Sequence, residues 1–174
     1  MALRMAVMSM CVVLMACPAT PGADGGTGGG TGGGTGGGGG MLDVVNVTAD
    51  VTADTTWTKD HVYVLKQLTY VASGTLTIEA GTTVMGDSAS ALIISRGAKL
   101  VASGTASEPI VFTSSLPTGQ RGSPQGDWGG VVFLGRAVIN TMGGENNAEG
   151  LPDDPKNKYG GTDDAYDCGT LKYV

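Results

Sequence analysis

Residues 76–101 contain one pattern twice, and this repeat constrains the fold more than any other feature of the chain. Each copy has an apolar residue, a glycine and a second apolar residue at intervals of three, and the second copy follows the first after sixteen residues. The copies are Ile78, Gly81 and Val84, and then Ile94, Gly97 and Leu100. A direct repeat at a fixed interval is typical of a solenoid, in which each coil stacks on the one before it.

A sixteen-residue coil predicts that equivalent side chains form columns inside the solenoid. The glycines would mark a corner, where the backbone adopts a positive φ or another segment approaches closely. The predicted column pairs are Leu76 with Leu92, Ile78 with Ile94, and Val84 with Leu100. Less regular copies are Val62, Val64 and Tyr70 before the repeat, and Val132, Gly135 and Val138 after it.

From Leu42 onward the chain consists of short runs rich in valine, threonine, isoleucine and tyrosine. The runs are three to six residues long and are broken by glycine, serine or an acid, as expected for strands. No long helical periodicity interrupts them, and the Asn-Gly dipeptide of a tight antiparallel hairpin does not occur. We therefore predict an all-β domain of parallel, stacked strands.

Four segments resemble a known family: "LTIEAGTTV", "GAKLVASGTASEPIVFTS", "GDWGGVVFLGRAVIN" and "YGGTDDAYDCGTLKYV". They are similar to the N-terminal coils of right-handed parallel β-helix proteins on bacterial surfaces, often lipoproteins of unknown function. The resemblance covers residues 62–174 and implies a right-handed parallel β-helix over residues 42–174. Family members run on for several more coils, so it also implies that this domain is truncated.

The N-terminal residues 1–16 have the pattern of an export signal. One cation, Arg4, precedes an apolar run that is shorter than the ~20 residues of a membrane-spanning helix. The run ends in "LMAC", which resembles a bacterial lipobox and implies lipidation at Cys17. The alternative is an ordinary secretory peptide cleaved after Ala16. Both interpretations predict an exported protein, and the first places it on the outer membrane or cell surface.

Residues 17–41 contain the predicted lipidated cysteine followed by a glycine-rich linker. Fourteen of the 31 glycines of the chain lie between positions 22 and 40, so this segment has little to bury. We expect a tether that holds the domain near a membrane to which the lipid anchors it. The formal net charge of the whole chain is −6, which argues against a nucleic-acid partner.

The longest polar segment, residues 141–169, is predicted to be an acidic loop. Oxygen-rich loops with glycine suit calcium, a hard ion that takes six to eight oxygen ligands. The candidate ligands are Asp153, Asp154, Asp163 and Asp164. Their spacing matches no common calcium motif, and a solvated acidic loop is the alternative.

Sequence evidence for a ligand site or for catalysis is sparse. Trp128, in the turn "GDWGG", is a candidate for stacking on a sugar ring, or it closes the side of the coils. Arg96, Arg121, Arg136 and Asp127 are available for acid–base chemistry, but nothing in the sequence brings them together.

The sequence accordingly favours a non-catalytic, surface-displayed binding or adhesion module whose ligand is a surface polysaccharide or a protein. The alternatives are a polysaccharide-active enzyme with catalytic coils beyond Val174, and a scaffold without a ligand. An enzyme predicts clustered acids and bases on successive coils of one face in the sequence beyond Val174, whereas an adhesin predicts threonine and asparagine ladders there.

Overall fold

A computed structural model describes residues 42–122 and 126–174. The predicted signal peptide (1–16) and the predicted lipidated cysteine with its linker (17–41) lie outside these residues. Thirteen short strands occur in the described part of the chain. They are β1 (Asp43–Val47), β2 (Thr55–Trp57), β3 (His61–Leu65), β4 (Leu68–Val71), β5 (Thr75–Ile78), β6 (Thr83–Gly86), β7 (Ala91–Ile94), β8 (Lys99–Ser103), β9 (Val111–Ser114), β10 (Val131–Phe133), β11 (Glu145–Asn147), β12 (Lys158–Gly160) and β13 (Gly169–Lys172).

The strands form three parallel sheets that the chain visits in turn, which confirms the parallel β-helix. Sheet 1 has the strand order β1-β3-β6-β9, sheet 2 the order β10-β7-β4, and sheet 3 the order β13-β8-β5-β2. Every strand pair within these sheets is parallel. The described chain thus makes four coils, and the first touches sheet 2 only through the bridge of Val51 to Val71.

The predicted stacking columns are wrong, because one coil is longer than sixteen residues. Leu76 pairs with Leu100 in the next coil, and Ile78 pairs with Ala102. Leu92 stacks on Thr69. These partners are 23 or 24 residues apart in sequence, so the two copies of the repeat do not stack on each other. The first copy runs from sheet 3 to sheet 1, and the second runs from sheet 2 to sheet 3.

The error in the predicted column pairs has a geometric cause. Strands β5, β6, β7 and β8 begin at Thr75, Thr83, Ala91 and Lys99, at intervals of eight residues. Each interval is one strand with its corner, and three such units close a coil. The sixteen-residue repeat is two sides of a three-sided coil, and the local pattern contains no information on the number of sides.

The two less regular copies need the same correction. Tyr70 and Val132 both pair with Ile93, so they belong to one column of sheet 2. Val138, predicted to stack inside a coil, is instead exposed after the end of β10.

The corner glycines adopt the predicted backbone conformation, although they lie at different corners. Gly81 has a φ of +83° between sheets 3 and 1, and Gly97 has a φ of +93° between sheets 2 and 3. Such values are unfavourable for residues with a Cβ. Gly74, with a φ of +73°, lies between sheets 2 and 3 in the preceding coil.

The core is a column of side chains that point inward from all three sheets. Apolar residues of the middle coils are almost completely buried there, and the first coil contributes Trp57, whose ring stacks on Tyr63 with centroids 4.7 Å apart. The most buried apolar members are Leu65, Val71, Leu76, Ile78, Val84, Leu92, Ile94, Leu100, Ala102 and Ile110.

The fourth coil contains a long insertion, residues 134–168, which we call the strap. It includes the predicted acidic loop and folds with an antiparallel pair, β11 with β12, that the sequence analysis did not predict. A 3₁₀ turn, Pro155–Asn157, precedes β12. Among the described residues, no helix is long and apolar enough to cross a membrane.

Candidate functional site

The outer faces of the three sheets differ in chemistry. On sheet 2 the outward residues Tyr70 and Ile93 form a second apolar cluster with Leu134 of the strap. Leu151 and Tyr159, also in the strap, pack against this cluster. The strap therefore covers the outer face of sheet 2.

Polar contacts from two side chains hold the strap in place. Arg96, at the corner after β7, forms an ion pair with Glu145 and donates to the carbonyl of Gly160 at 2.9 Å. On the other side, the Lys156 Nζ lies 3.1 Å from Asp50 Oδ2 and 4.1 Å from the centroid of the Tyr70 ring. These contacts join the strap to all three earlier coils.

The ion pairs of the strap shift the pKa values of their members. The hydrogen bond from Arg96 and the charge of its guanidinium lower the pKa of Glu145 below its ordinary value of 4.5. The hydrogen bond to Asp50, with the charge of that carboxylate, raises the pKa of Lys156 above 10.5. Both shifts favour the charged forms that attach the strap.

The four predicted calcium ligands have separate positions and partners. Asp153 forms an ion pair with Lys158, whereas Asp154 accepts from the Lys156 backbone N–H at 2.8 Å. The other two accept from backbone N–H groups, Asp163 from Ala165 at 3.2 Å and Asp164 from Val138 at 2.7 Å.

No group of three or more His, Cys, Asp or Glu side chains in residues 42–122 and 126–174 is arranged to hold a metal. Calcium binding by the four predicted aspartates together stays a prediction, and this geometry gives it no support.

The three candidate catalytic arginines do not converge. Arg96 holds the strap, and Arg121 donates to the carbonyls of Leu116 and Ser114 within its own loop. The Arg136 guanidinium lies 5.3 Å from the ring centroid of Tyr166. Each arginine therefore has a structural contact in a different part of the molecule.

Trp128 is half-buried and packs against the main core. Its indole covers Gly86 of β6 so closely that a Cβ at this glycine would overlap the ring. This position agrees with the structural alternative for Trp128. Sugar stacking by Trp128 is untested and stays a prediction.

The outer face of sheet 3 carries a column of three threonines and one valine. Thr56, Thr77, Val101 and Thr170 are in register on β2, β5, β8 and β13. Thr77 and Val101 each lie between two buried residues, so their side chains point outward. With strands ~4.8 Å apart, the column presents a regular row of hydroxyl and methyl groups.

Charged pairs flank this column. On one side, Lys99 Nζ lies 3.7 Å from Asp167 Oδ2. At the corner between sheets 3 and 1, Lys59 Nζ lies 2.7 Å from Glu108 Oε1, and its backbone N–H donates to Glu79. Lys59 and Lys99 are thus paired with carboxylates, whereas Lys172 of β13 lies 5.5 Å from the centroid of the Tyr173 ring.

The sequence analysis missed this face, although the chain contains a signal for it. Thr75 and Thr77 alternate with the apolar residues Leu76 and Ile78, which indicates a half-buried strand with threonines outward. The column itself depends on the pairing of four strands whose partners are 21, 24 and 69 residues apart, and a coil of sixteen residues does not align them.

Comparison with protein-family models places residues 49–174 in the pectate-lyase-like beta helix domain family. The chain belongs to this family. The match extends over both the coils and the strap, and it agrees with the three parallel sheets. Searches of curated proteins and of solved structures gave no match. The family is compatible with proteins that bind polysaccharides and with proteins that act on them.

Proposed function

We propose that this chain is a non-catalytic binding module that holds an extended polysaccharide on the outer face of sheet 3. The observation that carries the proposal is the set of threonines in register on this face, Thr56, Thr77 and, beyond Val101, Thr170. Hydroxyls at one and two strand spacings can exchange hydrogen bonds with sugar units of an extended chain.

The positions of the basic residues favour binding over catalysis. An enzyme that cleaves polysaccharides needs an acid and a base on either side of the scissile bond. Arg96, Arg121 and Arg136 are engaged in separate structural contacts, and Lys59 and Lys99, near sheet 3, are paired with carboxylates. These five cations are therefore not gathered around one point on this face.

Gel retardation in the presence of polysaccharides tests the proposed binding face. The variant Thr56→Ala/Thr77→Ala removes two hydroxyls of sheet 3, whereas Thr83→Ala/Thr113→Ala removes two from the outer face of sheet 1. We expect the first pair to weaken retardation at least about fivefold, because each lost hydrogen bond contributes about 0.5–1.5 kcal/mol. The second pair should leave retardation unchanged, and an equal loss in both variants would contradict this face.

The same samples test the enzymatic alternative. The wild-type protein is incubated with each retained polysaccharide, and chain length and new reducing ends are followed over time. We expect no change. Progressive shortening would show that the chain, which belongs to a pectate-lyase-like family, is an enzyme.

Surface display through lipid at Cys17 is the second element of the proposal. The lipobox pattern before Cys17 and the glycine-rich segment after it support this location. Cells expressing the chain are labelled with a radioactive fatty acid and extracted with detergent. Wild type should carry label and enter the detergent phase, and Cys17→Ala should do neither. A labelled Cys17→Ala protein would exclude this anchor.

A further inference from the structure

The loop of residues 148–157, which we call the strap loop, encloses two buried asparagine amides. It connects β11 to β12 at one end of the strap. Asn157 has 0% exposed surface, and the side-chain oxygen of Asn147 is also buried. Asparagine is seldom buried without a full set of hydrogen bonds, so these two side chains need an explanation.

Hydrogen bonds determine how both amides are oriented. The Asn147 Nδ2 donates to the carbonyls of Ala148 and Leu151 at 3.1 and 3.0 Å, and the Asn157 Nδ2 donates to the carbonyl of Pro152 at 2.8 Å. Because these acceptors are carbonyls, the nitrogen of each amide must face them. Leu151 and Pro152 are consecutive, so the two amides lie near each other.

The opposite side of each amide has no hydrogen-bond partner within the described chain. The Oδ1 atoms of Asn147 and Asn157 are both buried, and no donor reaches them. A buried acceptor without a partner destabilises the folded state. Two such oxygens, one at the end of β11 and one at the end of the strap loop, indicate a ligand that accepts electron pairs.

The charge of the strap loop indicates the class of that ligand. Residues 148–157 contain Glu149, Asp153 and Asp154 against one cation, Lys156, a net charge of −2. The backbone N–H of Asn157 donates to the carbonyl of Asp154 at 2.8 Å, which places this asparagine inside the acidic turn. Amide, carbonyl and carboxylate oxygens are the ligands of calcium.

We propose that the strap loop binds one calcium ion through the side-chain oxygens of Asn147 and Asn157 and the carboxylates of the loop. Two of the ligands are neutral amides, so acidic residues alone do not reveal the site. Asp163 and Asp164 lie outside the loop and take no part. By joining the two sides of the loop, the ion would stabilise the strap on sheet 2.

Titration calorimetry with calcium chloride tests the site on the purified protein. We expect one ion per chain with a Kd of about 10⁻⁴ to 10⁻³ M, the range of extracellular modules. Asn157→Ala and Asn147→Ala should each weaken binding at least about tenfold, since each removes a ligand. The controls are Asn140→Ala, at an exposed asparagine of the strap, and Asp163→Asn/Asp164→Asn, and both should bind as wild type does.

Three results would overturn the proposal. The first is the absence of binding heat and of any change in melting temperature at millimolar calcium, which would mean that water satisfies the two oxygens. The second is a loss of calcium affinity in Asp163→Asn/Asp164→Asn as large as the loss in the asparagine variants. If the asparagine variants fail to fold, Glu149→Gln, at an exposed position, provides the test. This variant should bind calcium more weakly because a negative charge is lost. An unchanged calcium affinity in Glu149→Gln is the third result.

Discussion

At the scale of single residues, Gly86 packs closely against the indole of Trp128. Gly86 occupies an inward position of β6, where the other strands of sheet 1 place Leu65 and Ser114. The missing side chain makes room for the indole from the fourth coil. Gly86 is therefore a packing glycine, in contrast to the corner glycines, whose role depends on φ.

Adding one methyl group at Gly86 tests this packing. Gly86→Ala should destabilise the protein by about 1–3 kcal/mol, because the Cβ overlaps the indole. Chemical denaturation followed by tryptophan fluorescence measures the change. Gly135→Ala is the matched control, since its φ is not positive and a Cβ there meets nothing within 4 Å. A Gly86→Ala protein as stable as this control would contradict the packing.

At the scale of elements, the strap depends on contacts that reach far along the chain. Arg96 and Glu145 are 49 residues apart, and Lys156 and Asp50 are 106 residues apart. Such pairs connect the strap to coils that fold from other parts of the sequence. We therefore expect the strap to open locally without unfolding of the coils.

Removing the guanidinium of Arg96 should release one side of the strap. In Arg96→Met, amide hydrogen exchange in residues 145–160 should be about tenfold faster, because hydrogen bonds to a charged group are lost. Exchange in β5 and β8 should not change. Arg121→Met is the control, since Arg121 donates to the carbonyls of Leu116 and of Ser114 at the end of β9, outside the strap. Faster exchange throughout Arg96→Met would mean that Arg96 supports the coils instead.

The ion pair of Glu145 predicts how attachment of the strap depends on pH. Since the pKa of Glu145 is lowered in the folded protein, its contribution is complete above the ordinary value of 4.5 and is lost as pH falls through the lowered pKa. Amide hydrogen exchange in the strap should be faster in Glu145→Gln than in wild type at neutral pH, which gives a rate ratio above one. In stronger acid the two rates should become equal, and the ratio should approach one.

Exposed Glu149 provides the control for the pH experiment. Glu149→Gln, measured without calcium, should exchange like wild type at every pH. A Glu145→Gln ratio that stays constant into strong acid would show that ionisation of Glu145 does not attach the strap.

At the scale of the whole molecule, stability depends on the inward columns. Leu100 is completely buried and stacks on Leu76, whereas the next residue, Val101, points outward from the same strand. Leu100→Ala should cost about 2–5 kcal/mol through loss of buried surface and the resulting cavity. Val101→Ala should cost no more than about 0.5 kcal/mol. Denaturant titration measures both, and equal costs would contradict the assigned register.

Much of the fold could be predicted from the residues of single strands. The runs around Val62, Ile78, Ile94 and Val132 all form strands, because short runs rich in valine, isoleucine and leucine are a local signal. The antiparallel pair of the strap was missed because "ENN" and "KYG" contain none of these residues. The candidate site was predicted less well, since Thr56, Thr77 and Thr170 meet only through the register of four strands.

The sequence by itself determined the all-β class, the strand-and-corner unit and the positive φ of its glycines, because each depends on neighbouring residues. The tertiary structure decided that three units close a coil, so that Leu76 stacks on Leu100. It also decided that the strap covers sheet 2 and leaves the threonines of sheet 3 exposed or half-exposed. These features depend on contacts between residues 20 to 106 positions apart, which no local pattern records.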